Sequence, residues 1–475
     1  MTRGATSRRR AARCVRYVCT FAVCAGTARA QEPAGGPPLT PNELGQHAEL
    51  ARAENTAEGA ATETEDSYPV HGAVRLRGRG RWRADENDLD LYATVELDAG
   101  DVERNTWTWH LTAQALVDAD GEEPPTSSFF SLEDAEGSGE RAYLYEAYGE
   151  RRGDGTLEVL RAGRQTEWRT PVFLWFDGAS VRTRAAGKTQ FVFGAYGGLP
   201  VHQYETSRSG DQVFGAWTEL KPWSRALVRL DYVHLEDEER LGSGNNDLLQ
   251  LALGQALGEQ LRFDATYSRL ENEDRDASLR AVWADAESDA TVSATFYRLI
   301  EPQNTLALEL DPLTSALLEL EPYWEARISA SKGVNEHLRL DAGYDARRLA
   351  NGIEESTFNH ELDRAYLSGT VLELPLELEF TLTGETWDSS SDEFRTWGAD
   401  VTRRFGDDQR ISVGTSYALY KVDVFQEDER EDVRTTYVRW RVKRTEGWGW
   451  DTSYEYEDDP GEDLQVLRVG ATWKF

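Results

Sequence analysis

Residues 73–83 read AVRLRGRGRWR, placing Arg75, Arg77, Arg79, Arg81 and Arg83 at alternate positions of a chain whose formal charge is -33. Between them stand Val74, Leu76, Gly78, Gly80 and Trp82. A period of two puts the five guanidinium groups on one face of an extended strand and the apolar residues on the other. A chain this acidic is excluded as a general nucleic-acid binder, which needs basic surface to displace counterions from phosphates. The run therefore reads as a wall strand, wet on one side and apolar on the other.

The same alternation recurs. It is plain in 107–115 (WTWHLTAQA), 261–267 (LRFDATY), 338–344 (LRLDAGY), 376–382 (LELEFTL) and 448–454 (WGWDTSY). A 3.6-residue period fits almost none of these segments, so each is expected to be a strand. No run approaches eighteen apolar residues, which excludes a spanning helix but not a spanning strand of about 9–11 residues. Very short connections, at 187–188, 258–259, 287–289, 406–409 and 445–447, alternate with mostly longer ones at 118–139, 198–211, 236–246, 300–322 and 423–432. Tight turns at one end and long loops at the other characterise a membrane barrel. The expected fold is all-β, a closed antiparallel transmembrane β-barrel over 73–475, with an even number of about 18–22 strands.

The first thirty residues read as a signal peptide. Arg3, Arg8, Arg9, Arg10 and Arg13 precede a short apolar core at 17–25 (YVCTFAVCA), and Ala28-Arg29-Ala30 supplies a small-x-small cleavage pattern. All three cysteines and the only methionine lie in this segment. Cleavage before Gln31 would leave no thiol chemistry, and losing seven arginines makes the mature chain more acidic still. Residues 31–72 are rich in Pro, Gly, Ala, Thr and Glu and are expected to form a flexible periplasmic segment.

The chain closes on 466–475, VLRVGATWKF, with Leu467, Val469, Ala471, Trp473 and Phe475 on one face. A terminal Phe with an aromatic two residues earlier resembles the recognition signal of outer-membrane barrels. That resemblance implies handling by the barrel-assembly machinery and residence among outer-membrane lipid and lipopolysaccharide. A second resemblance lies in 160–184, where Gly163-Arg164-Gln165, Phe176-Asp177-Gly178 and Val181-Arg182 stand in sequence. This "GRQ … FDG … VR" pattern is similar to one in alginate-export-type and related bacterial porins. It implies a barrel passing a polyanionic polysaccharide or small acidic solute, narrowed by an inward loop. Gln165, Trp168, Arg169, Phe173, Trp175, Phe176 and Asp177 are the counterparts of that loop here.

Lipid excludes charge from one face of each strand, so the arginines of 73–83 are expected to line the lumen. The same parity sends Arg439, Arg441, Lys443, Arg468 and Lys474 inward, forming a basic arc where the first strand meets the last, and Arg182 and Arg184 are expected on the lumen wall as well. Asp90, Glu96 and Asp98, and Glu377, Glu379 and Glu385, are expected to form acidic stretches on an opposing wall. A transverse field between such walls would orient polar solutes.

The seven histidines show no metal-binding spacing, and no cofactor or metal site is expected. Acidic segments at 236–239, 271–276, 427–432 and 457–463 read as solvated external loops, with lipopolysaccharide-bridging cation binding as the sharper alternative. The function expected is a passive, non-enzymatic channel for polar, anionic or polysaccharide solutes. Two alternatives stand beside it: a closed structural or polymer-binding barrel, and a barrel hydrolase acting through His110, His202 or His234.

Overall fold

The computed structural model describes residues 68–475 apart from stretches within connections: 85, 102, 104, 122–126, 128, 130–138, 168–169, 202–210, 239–242, 302–320, 351, 354–360, 390–392, 407, 424–427, 445–446 and 459–462. The expected signal peptide and most of the segment 31–72 therefore lie outside the described residues, as do the interior of the 300–322 connection and Trp168, Arg169 and His202.

Twenty-two strands follow one another. The first six are β1 Val70–Arg83, β2 Glu86–Ala99, β3 Trp107–Asp118, β4 Glu140–Arg152, β5 Leu157–Glu167 and β6 Leu174–Thr183. Next come β7 Val192–Pro200, β8 Gln212–Leu220, β9 Ala226–Glu238, β10 Ser243–Leu257, β11 Leu261–Leu270 and β12 Glu273–Asp285. Then come β13 Ala290–Leu299, β14 Tyr323–Asn335, β15 Leu338–Leu349, β16 Leu362–Leu374 and β17 Leu378–Ser389. The last are β18 Glu393–Phe405, β19 Gln409–Asp423, β20 Asp428–Val442, β21 Gly447–Asp458 and β22 Leu464–Lys474. Each pairs antiparallel with its sequence neighbours, and β1 pairs with β22 from Ala73↔Lys474 to Arg83↔Leu464. The sheet is thus a closed 22-stranded antiparallel barrel with no free edge.

Both ends of the described chain lie at one end of the barrel. That end carries tight turns such as 258–260, 286–289, 336–337 and 406–408, whereas the long connections 119–139, 201–211, 300–322 and 350–361 all lie at the other. Several acidic stretches expected as loops are instead strand. Glu271 and Asn272, with φ of 52° and 72°, form a two-residue turn, and β12 begins at Glu273. Likewise 428–432 belong to β20 and 457–458 to β21. Strand pairing continues past the apolar band because a ladder satisfies the backbone hydrogen-bonding groups there as well.

The outward face is apolar and exposed. Leu251, Leu367, Leu382, Val413 and Val438 stand along the strands, and aromatic side chains gather near both ends. Trp107, Trp109, Phe405 and Trp448 lie toward the termini, and Trp82, Phe214, Tyr267, Trp324 and Trp397 toward the long connections. An apolar band between two aromatic girdles is the surface a bilayer-spanning barrel presents.

Candidate lumen wall

The inward face is best followed from β1. Its neighbours place Arg79 opposite Asp90 on one side and Arg468 on the other, and Arg81 opposite Asp88. Arg75 grips Glu96 with both terminal nitrogens, one at 3.0 Å, Arg79 Nε donates to Asp90 at 2.9 Å, and Arg81 pairs with Asp88. Arg77 and Arg83 share this face. The acids expected on an opposing wall thus stand on the adjacent strand. A hairpin of alternating charged strands brings opposite charges into cross-strand register, so the charge is neutralised locally instead of across the lumen.

The same lattice continues elsewhere. Arg364 bridges Asp345 at 3.3 Å and Glu385 at 2.7 Å, and Arg404 holds Glu379 at 2.9 Å. Glu377 sits in the turn before β17, outside the strand row. Arg439 and Arg468 share Glu455, at 3.1 and 2.8 Å, so Glu455 ties the basic arc together. Arg182 pairs with Glu158 at 3.2 Å. Arg184 falls just beyond β6, where its guanidinium donates to the carbonyl of Gly153 at 2.8 Å. Arg441, Lys443, Lys474 and Arg75 border a recess at the termini end.

The motif at 163–178 folds back on itself. Gly163↔Gly178, Arg164↔Asp177 and Gln165↔Phe176 are cross-strand partners. Arg164 forms two bonds to Asp177, at 2.8 and 2.7 Å, while Gln165 Nε2 donates to the Gly178 carbonyl at 3.1 Å. Gln165, Trp175, Phe176 and Asp177, expected in an inward loop, are therefore strand residues, because their register closes a hairpin. Phe173 lies in the connection before β6. Trp175 is buried, stacked on Tyr145 with its indole N–H on the Tyr145 carbonyl.

A different connection reaches the charged wall. Within 119–139, Phe129 is buried with its carbonyl accepting from Arg81 at 3.2 Å, and the Arg81 guanidinium lies 4.8 Å over its ring. Ser127, also buried, donates to Glu86. Sequence reading missed this contact, since nothing in 118–139 marks Phe129 as inward.

Across the barrel the inward face is apolar. Phe176, Tyr196, Val213, Trp217, Val233, Leu235, Leu248 and Leu270 form one buried cluster, with Phe176, Val233, Leu235 and Leu248 at 0 % exposure. Cross-strand glycines make room for its rings: a Cβ at Gly194 would stand 2.2 Å from the Trp217 ring. Beneath the cluster Arg229 and Asp231 pair at 2.6 Å, both buried.

His110 lies on the inward face between two carboxylates, Nδ1 2.7 Å from Asp98 and Nε2 2.9 Å from Glu146. Thr112 Oγ1 is 3.1 Å from the same Nε2, so a carboxylate competes for the nitrogen that a threonine nucleophile would use. His234 faces outward, stacked on Phe214 at 4.5 Å and 2.9 Å from Asp247. The terminal residues sit together: Leu467, Val469 and Trp473 face outward, Trp473 stacks on Trp448 at 6.1 Å, and Phe475 is buried beside it at 4.8 Å.

No family model matches the chain, and no curated protein matches it by sequence. Solved structures do resemble it. The P pilus usher (PapC) translocation pore aligns at 9 % identity and TM-score 0.48, covering 86 % of this chain and 99 % of that one. OccK3 (OpdO) of Pseudomonas aeruginosa aligns at 12 % identity and TM-score 0.39, covering 86 % and 95 %. OccAB4 of Acinetobacter baumannii gives 9 % and 0.41, covering 87 % and 100 %. The strand pairing itself, independent of these alignments, establishes the closed barrel.

Proposed function

We propose that the protein is an outer-membrane channel that passes polar solutes, anionic ones in particular, by passive diffusion through its lumen. The observation that carries this reading is a wall closed by β1–β22 pairing whose inward face bears rows of charged, water-accepting side chains. A barrel of this strand number encloses more space than its own wall side chains fill. Acidic polysaccharide, the cargo implied by the porin-like motif at 163–178, belongs to the same solute class. Export through a cleaved signal peptide, and assembly guided by Leu467, Val469, Trp473 and Phe475, complete the proposal.

Recordings in planar bilayers test it. Purified protein is expected to give discrete conductance steps, and their absence would overturn the channel reading. Changing Arg75, Arg77, Arg79, Arg81 and Arg83 together to Gln leaves Asp88, Asp90 and Glu96 uncompensated on the same wall. The reversal potential should then shift toward cation selectivity, and an unchanged value would place the solute path elsewhere. The burial of Phe129 and of the inward apolar cluster favours a second reading, in which connections close the lumen and the barrel serves as a surface scaffold. Silence in the bilayer is its signature.

A further inference from the structure

Most inward arginines pair with a carboxylate, and one row holds two that do not. Arg404, Arg410 and Arg441 are direct cross-strand partners on β18, β19 and β20, near the termini end of the lumen. Strands lie about 4.8 Å apart, so the three positions span roughly 10 Å. Like charges directly opposite one another destabilise a sheet. Elsewhere the chain relieves such a contact: Arg79 faces Arg468, yet Asp90 takes one and Glu455 the other. In the lower row Glu379 takes Arg404. Among the described residues, the side chains of Arg410 and Arg441 make no ion pair or hydrogen bond.

Beside Arg441 a recess opens, bordered by Arg441, Lys443, Lys474 and Arg75, with Thr472 contributing a hydroxyl. Asp451 is the carboxylate at its edge; it stands opposite Arg441 in register without closing an ion pair. Uncompensated guanidinium groups, held by strand register in a concave wall, suit an oxyanion, which accepts paired N–H bonds from arginine.

We propose that Arg410 and Arg441, with Lys443 and Lys474, form an oxyanion-binding site in the lumen wall for the carboxylate or phosphate group of a small polyvalent solute. The proposal deepens the channel reading by naming a subsite, and it rests on that reading for its physiological role.

Binding to the whole detergent-solubilised protein tests it without any recording of current. Inorganic phosphate and citrate are titrated separately by calorimetry at low salt. At least one should bind the wild type, and Arg410→Gln/Arg441→Gln should weaken it tenfold or more. Stronger retention of citrate than of phosphate would identify a carboxylate site, and the reverse order a phosphate site. Arg403→Gln removes one charge from the outward face of β18, where Arg403 lies 4.5 Å over the Phe405 ring, and should leave binding unchanged. Absence of binding by both anions, or equal binding by the double variant, overturns the site even if the barrel conducts. Arginine-dependent binding by a barrel that does not conduct upholds the site and overturns the channel. Resistance of the folded band to SDS without heating confirms that each variant is assembled.

Discussion

Strands β22, β1 and β2 and strands β7 to β10 line the same lumen on opposite principles. On the first side every second residue of β1 from Arg75 to Arg83 is charged, and Arg75, Arg79 and Arg81 find Glu96, Asp90 and Asp88 one strand away. On the other side the inward positions are Tyr196, Val213, Trp217, Val233 and Leu248, buried nearly to completion. The outward faces of the two sides are alike, with Trp82 and Leu91 on one and Phe214 and Leu251 on the other, all exposed. Lipid imposes one chemistry on the outside of every strand. The inside answers to whatever stands against it, water at the seam and packed protein at β7 to β10.

If packing holds one side, cutting into it should cost most. Phe176→Ala empties a site of 0 % exposure and should destabilise the barrel by about 3–5 kcal/mol, read as a lower urea midpoint of the folded band that resists SDS without heating. A shift below about 1 kcal/mol would mean that the cluster is water-filled, and the contrast between the two sides would collapse. The next effect separates inside from outside within one strand. Leu251→Arg places a cation on the lipid face in mid-strand and should cost about 2–4 kcal/mol. Gln250→Arg, one residue earlier and opposite Asp231, faces inward and should cost far less. Equal costs would break the assignment of faces.

The alternation that placed AVRLRGRGRWR on a wall was legible because lipid enforces it at every strand, and barrel closure followed from VLRVGATWKF at the far end. The partners of those arginines were not legible. Asp90 and Glu96 could be assigned to the lumen by parity, but only the β1–β2 register shows that they face their own neighbours. The motif at 163–178 carried a subtler ambiguity. Its residues are compatible with an inward loop until Gly163↔Gly178 and Gln165↔Phe176 are seen as pairs, which depends on a three-dimensional register that local pattern does not encode. Phe129 escaped notice for the same reason: a long polar connection gives no period from which to read where one aromatic lands. The row of Arg404, Arg410 and Arg441 comes from three separate strands and is adjacent only in the sheet.

The smallest structural effect sharpens the comparison from the electrical side. Glu455 is shared by Arg439 and Arg468, whose side chains are 54 % and 46 % exposed, so both can hydrate once it is gone. Glu455→Gln should therefore cost less than about 1 kcal/mol, in keeping with solvated ion pairs. It nonetheless leaves one more positive charge on the seam wall. In a conducting barrel the reversal potential should move toward anion selectivity, opposite in sign to the loss of the β1 arginines. The shift should be clear at 0.1 M salt, where the screening length is about 10 Å, and nearly vanish at 1 M, where it is about 3 Å. A selectivity change that ignores salt would point to a rearranged wall instead of an added charge. No change at 0.1 M would mean that the solute path does not run past the seam, leaving its ion-pair lattice to serve strand pairing alone.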